Sequence, residues 1–146
     1  MNPCEEAVGA SVSCSKTVGE SDVYLFAGIT GDFSPNHVDE TAMAATGYGG
    51  RIAHGALLVG YMSRASTLIG EQCGALMREH YPVSLGYDRV RFLQGVRIGD
   101  TVTVTYRIEA ADPLRMRTIA AVSLHNQSGT CCAVATHLMK WLRRPG

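Results

Sequence analysis

No sign of charge dominates this sequence: 13 basic residues balance 13 acidic ones, for a formal net charge of 0. A phosphate-backbone partner needs a clustered basic excess, so DNA and RNA are not expected as ligands. Long apolar runs are missing too. The longest, residues 52–62, contains His54 and falls far short of the roughly 20 residues a membrane-spanning helix requires. The chain opens on Met1-Asn2-Pro3-Cys4-Glu5-Glu6, acidic where a secretory signal is basic, and no apolar stretch follows it. Its five cysteines are odd in number, include the neighbours Cys131 and Cys132, and lack any Cys-x-x-Cys spacing. Neither a disulfide framework nor a zinc site is indicated, and a cytoplasmic protein with reduced thiols is expected. Internal repeats and low-complexity tracts are absent.

What is present fits one domain, residues 1–146, long enough to bury roughly two-thirds of the surface its unfolded form exposes. Residues 1 to 10 read as a frayed end, and residues 12–18 as an edge strand. Ser21-Asp22 offers an N-cap to a short helix carrying Val23, Leu25, Phe26 and Ile29, which Thr30-Gly31 stops. Ser34-Pro35 resembles a helix start, with serine capping and proline first inside. Asp39 or Glu40 caps a piece over residues 41–46, and Gly47, Gly49 and Gly50 break it. From Ile52 the residues leave no strongly polar face over nearly three turns, the pattern of a helix enclosed by protein. Ala56, Gly60, Ser63 and Thr67 form one small or hydroxylated stripe along it. Arg64, Glu71, Arg78 and Glu79 mark its return to solvent, and Gly70, Gly74 and Pro82 its exit.

After Pro82 the period shortens towards 2. Residues 87–92 alternate; residues 101–110, 116–125 and 131–142 are rich in Val, Ile, Thr, Leu and Ala; turns fall at Gly99-Asp100, Asp112-Pro113 and Asn126 to Gly129. Four successive strands with hairpin-length links predict an antiparallel meander, and an apolar helix beside a curved sheet is best satisfied when the sheet wraps it. The fold class is α+β.

Two stretches carry chemistry. Gly31-Asp32-Phe33-Ser34-Pro35-Asn36-His37 places a carboxylate and an imidazole on either side of a proline, and Ile52-Ala53-His54-Gly55-Ala56-Leu57-Leu58 opens the long helix. A carboxylate and an imidazole five residues apart cannot share a helical face, but a proline-containing loop folds them towards one water. Free N–H groups and the positive dipole end gather at the helix start near Gly55.

Taken together these residues resemble the hydratase motif and following helix of the MaoC-like, (R)-specific enoyl-CoA hydratases, over most of the chain. The usual loop pattern there is Asp-x-Asn-Pro-x-His, and Ser34 stands where asparagine is commoner. The resemblance implies a single hot dog domain whose antiparallel sheet wraps a long central helix. It implies a water held between Asp32 and His37 for addition to C3 of a trans-2-enoyl thioester, with the division of acid and base roles between the two left open. It also implies a Gly55 N–H that binds the thioester oxygen, and a Ser63 that supports the catalytic pair or simply back-bonds within the helix. His54 either borders the substrate or orients the helix start, and Ala56 either touches ligand or packs closely. Arg89 and Arg91, two apart on a strand face opposite Val90 and Phe92, either meet coenzyme A phosphates with Arg97 or stay solvated. Residues 41–50, mostly small, are expected to set acyl size and admit a short or branched chain. No metal or cofactor is called for, coenzyme A or an acyl carrier protein being part of the substrate, and a homodimer or higher even oligomer is implied. A hot dog thioesterase is the alternative.

Overall fold

The computed structural model describes residues 1–146. Five strands form one antiparallel sheet: β1 (Ser11–Thr17), β2 (His80–Phe92), β3 (Thr101–Asp112), β4 (Arg117–His125) and β5 (Cys131–Arg143), in spatial order β1-β3-β4-β5-β2. Six helices accompany it: α1 (Pro3–Glu6), α2 (Glu20–Thr30), α3 (Pro35–Val38), α4 (Glu40–Ala44), α5 (Gly55–Gln72) and α6 (Gly74–Glu79). The expected hot dog architecture is the one observed, with α5 lying against β1, β3 and β4.

Alternation along the strands builds the core. Val102, Val104, Tyr106 and Ile108 of β3 point inward with Ala120, Val122 and Leu124 of β4 and Ala135, Met139 and Trp141 of β5. They meet Leu58, Met62, Ala65 and Ile69, which recur at helical spacing along α5. Burying each large side chain of that set contributes about 1.5–3 kcal/mol. Trp141 keeps its polar atom satisfied, donating Nε1–H to Thr118 Oγ1 at 3.1 Å.

Several expectations are corrected. The meander covers only β3, β4 and β5; β2 does not pair with β3 but crosses to the far edge beside β5. The link from Phe92 to Thr101 is therefore no hairpin, because Leu93 and Gln94 bond to Cys132 and the stretch ends in a Gly99 turn that pairs with Val18. β2 begins at His80, so Pro82 lies inside it, on the edge strand that tolerates a missing N–H. The first ten residues are not frayed: Asn2 caps α1, Cys4 is fully buried, and Gly9 and Ala10 bond to Ile108. The N-cap of α2 is Gly19, with Asp22 three residues on accepting its N–H at 2.7 Å. Finally, α5 is not enclosed on every side, since Ala56, Gly60, Ser63, Arg64 and Thr67 are exposed. No helix is long and apolar enough to cross a membrane.

Candidate active site

Gly31, at φ 80, ends α2 in a left-handed turn that a side chain rarely adopts, and so releases Asp32 from the helix. The Ser34 N–H donates to Asp32 Oδ1 at 3.2 Å, an Asx turn that leaves Oδ2 free. Pro35 then starts α3, which carries His37. The His37 Nδ1–H donates to the Ile52 carbonyl at 2.7 Å, because a carbonyl can only accept. That bond fixes the tautomer and presents the Nε2 lone pair to Asp32 Oδ2, 4.0 Å away. The gap is too long for a direct hydrogen bond and suits one bridging water. Asp32 is half exposed while His37 is buried, so the pair joins solvent to the interior.

Residues 51–53 are threaded between this loop and the stretch before β3: Ile52 N–H bonds to the Asn36 carbonyl at 3.0 Å and Ala53 N–H to that of Val96 at 2.7 Å. His54 follows as the N-cap of α5, 2% exposed. Its Nε2–H donates to the Asp32 carbonyl at 2.9 Å, its ring stacks on His37 at 3.7 Å, and Phe26 covers it at 4.7 Å. His54 thus braces both members of the pair. Gly55 is the first helical residue, and its N–H makes no hydrogen bond within the protein. A Cβ there would meet the Phe92 ring at 2.5 Å, so only glycine lets that ring lie against the helix start.

A cavity of about 340 Å³ opens beside these groups, lined among others by His37, Tyr48, Ile52, Gly55, Leu58 and Phe92. His37 of the acid/base pair and the free Gly55 amide thus meet in a largely apolar slot, with Asp32 behind His37. Asp32, His37 and His54 also offer three ligand atoms within 4.8 Å of one another. The two imidazoles are stacked at 27°, however, so their in-plane lone pairs run side by side instead of converging on one ion, and the trio is a poor metal cage.

Of the residues singled out from sequence, Asp32, His37, His54 and Gly55 come together. Ser63 does not: it lines a separate cavity further along α5, and Ala56 sits on the exposed face. Arg89 and Arg91 do not share a strand face, because a bulge between Asp88 and Arg91 puts Arg89 at φ 53, and neither lines the slot. Within residues 41–50 only Tyr48 lines it. Arg97 instead pins the glycine loop, donating to the Gly49 carbonyl at 2.8 Å.

Sequence reasoning missed Arg51. Its side chain, 10% exposed, pairs with Glu20, donates to Glu40 at 3.0 Å and to the His37 carbonyl at 3.4 Å, and lies over the Tyr24 ring. The Glu20 carboxylate above all holds its guanidinium protonated, and Arg51 in turn holds the Glu40 carboxyl below its usual range. The one signal available was an arginine alone in the neutral stretch from Thr41 to Ala53.

Comparison with known proteins places these features in context. The family described as MaoC like domain matches residues 3–128. An (R)-specific enoyl-CoA hydratase of Rhodospirillum rubrum is 39% identical over 105 residues, 72% of this chain and 67% of that protein. A 3-hydroxybutyryl-CoA dehydratase of Methylorubrum extorquens is 34% identical over 110 residues, 75% of this chain and 65% of that protein. The chain thus aligns with about two-thirds of the length of these relatives. The solved (R)-hydratase from A. caviae involved in PHA biosynthesis superposes with a TM-score of 0.78 at 27% identity, covering 91% of this chain and 95% of that one.

Proposed function

The chain belongs to the MaoC-like domain family, whose curated members similar to it include (R)-specific enoyl-CoA hydratases, and from that premise we propose that it adds water reversibly to a trans-2-enoyl thioester to give the (R)-3-hydroxyacyl thioester. The observation that carries the reading is the 4.0 Å gap between Asp32 Oδ2 and His37 Nε2, next to the unpartnered Gly55 N–H. A water in that gap gives up a proton to the pair as its oxygen attacks C3. The electron pair of the double bond moves through C2 towards the thioester oxygen, where the Gly55 N–H and the positive end of α5 oppose the growing charge. The pair then returns a proton to C2 on the same face. Each positioned acid/base group is typically worth about 10² to 10⁴ in rate, and one amide donor about 10² to 10³.

These groups meet all three needs of the reaction, so we assign no cofactor; coenzyme A or an acyl carrier protein arrives with the substrate. The working form we infer is a homodimer, and its location the cytoplasm. The dimer's support is the contrast between the sheet's two edges: β1 exposes serine, threonine and lysine, whereas the first half of β2 exposes the apolar Tyr81, Val83 and Leu85 beside Ser84 along an unpaired edge.

The test follows the conjugated-thioester absorbance of crotonyl-CoA beside free-thiol release. Absorbance lost without thiol is the expected result. Thiol release at the same rate marks a thioesterase and overturns the reading.

A further inference from the structure

A further cavity, of about 170 Å³, lies between α5 and the edge strand β1 and shares no lining residue with the catalytic slot. Two strands in register supply one side of it: Cys14 stands opposite Val104, and Lys16 opposite Val102. Cys14 and Lys16, two apart on β1, face the same way. Tyr61 and Arg64, three apart on α5, share a helix face and supply the other side. Ser15 completes the lining, its hydroxyl spent on Thr103 Oγ1 at 2.8 Å. At roughly 30 Å³ per molecule, about five waters would fill the space, so it is sized for a single ring or a short branched chain.

The polar groups around it are unequally spent. Lys16 Nζ pairs with Asp22 Oδ2 at 2.9 Å and donates to the Thr17 carbonyl at 3.2 Å, and Asp22 also accepts the Gly19 N–H at 2.7 Å. Those two charges answer each other. Arg64 has no such partner: the residues one turn away, Gly60, Tyr61, Thr67 and Leu68, include no acid, and no acid lines the cavity. Its guanidinium is exposed, with the N–H fork free.

Tyr61 adds a second donor. Its hydroxyl is buried and bonded to nothing, and burial pushes its pKa up to about 12, so it carries its proton at neutral pH. A buried donor left unpaired costs free energy that an entering oxygen acceptor would recover.

A free guanidinium fork and a free hydroxyl on one helix face, over a floor of valine and cysteine, fit a planar anion with an apolar body. Inorganic phosphate has no such body, and a hydrocarbon leaves both donors unpaired. We propose that this cavity binds a small monocarboxylic acid with an aromatic or branched body, its carboxylate on Arg64 and Tyr61 and its body over Cys14, Val102 and Val104. The site is separate from the thioester chemistry and stands independently of the hydratase reading.

Benzoate serves as the probe, with benzyl alcohol as its neutral counterpart, in NMR titrations of the wild-type protein, Arg64→Gln, Tyr61→Phe and Cys14→Leu. Benzoate should saturate the wild type with a Kd of about 1 mM, the range that a ligand of so few heavy atoms reaches on a half-open site. Benzyl alcohol should bind about tenfold more weakly. Arg64→Gln should weaken benzoate about tenfold and erase its advantage over the alcohol, and Tyr61→Phe should weaken it about fivefold. Cys14→Leu, which fills the floor, should abolish binding of both. Arg64 is exposed, so its variant keeps the proposal testable whatever the tyrosine substitution does to folding. No saturation by benzoate, equal affinity for the two ligands, or wild-type affinity retained in Arg64→Gln or in Cys14→Leu would overturn the proposal.

Discussion

His37 owes its role to a single backbone contact. The Ile52 carbonyl takes the Nδ1 hydrogen, and only then does Nε2 face Asp32 as a lone pair. Asp32 and His37 were legible in the sequence because a short loop and a proline decide their placement locally. Ser63 was not, since its surroundings depend on where β2 passes α5. Gly55 serves the site twice, as a free donor and as the space beneath Phe92. Gly55→Ala should lower stability by about 1–3 kcal/mol through overpacking, and adding Phe92→Leu should recover most of it in urea unfolding; no loss in the single variant would contradict the close approach. Burial gives His137 a pH signature. Its folded pKa of about 4 lies below the usual 6.5, so between those values the unfolded chain binds a proton that the folded chain refuses. Stability from this group is complete above pH 6.5 and falls as pH drops towards 4, by on the order of 3 kcal/mol. Urea midpoints at pH 7 and 4.5 should diverge less in His137→Phe than in wild type; equal declines would contradict the assignment.

Among the elements, α2, α5, β3, β4 and β5 emerge where the hydrophobic periods predict them, while β2 starts at His80, ahead of the alternation that marks it, and α1 and α6 form in stretches that read as a frayed end and a helix exit. Strand order does not follow, because alternation fixes which face is buried and says nothing of which edge a strand joins. The bulge at Arg89 was equally invisible: one extra residue on β2 shifts the alternation that put Arg89 and Arg91 on one face. Arg51 works at this scale, tying α2 through Glu20 and α4 through Glu40 to the His37 carbonyl. Arg51→Ala should lower kcat/KM for hydration by about tenfold or more. Arg51→Lys should recover little, as an ammonium cannot reproduce the fork to two carboxylates. Full recovery with lysine would mean that charge alone matters there.

For the whole molecule, the two sheet edges differ in character, and the dimer proposed through β2 follows from that difference. Val83→Lys and Leu85→Lys together should convert the dimer to monomer in sedimentation, whereas a lysine in place of Ser13 on β1 should not; an unchanged oligomer in the double variant would place the interface elsewhere. The most direct test of the central claim is crotonyl-CoA hydration by Asp32→Asn and His37→Ala, with circular dichroism to confirm that each folds. Hydration is predicted to fall by at least about 10² in each, with unchanged spectra and no thiol release. Either variant, folded and within a few-fold of wild-type turnover, would contradict the pairing of Asp32 and His37 as the water-handling groups.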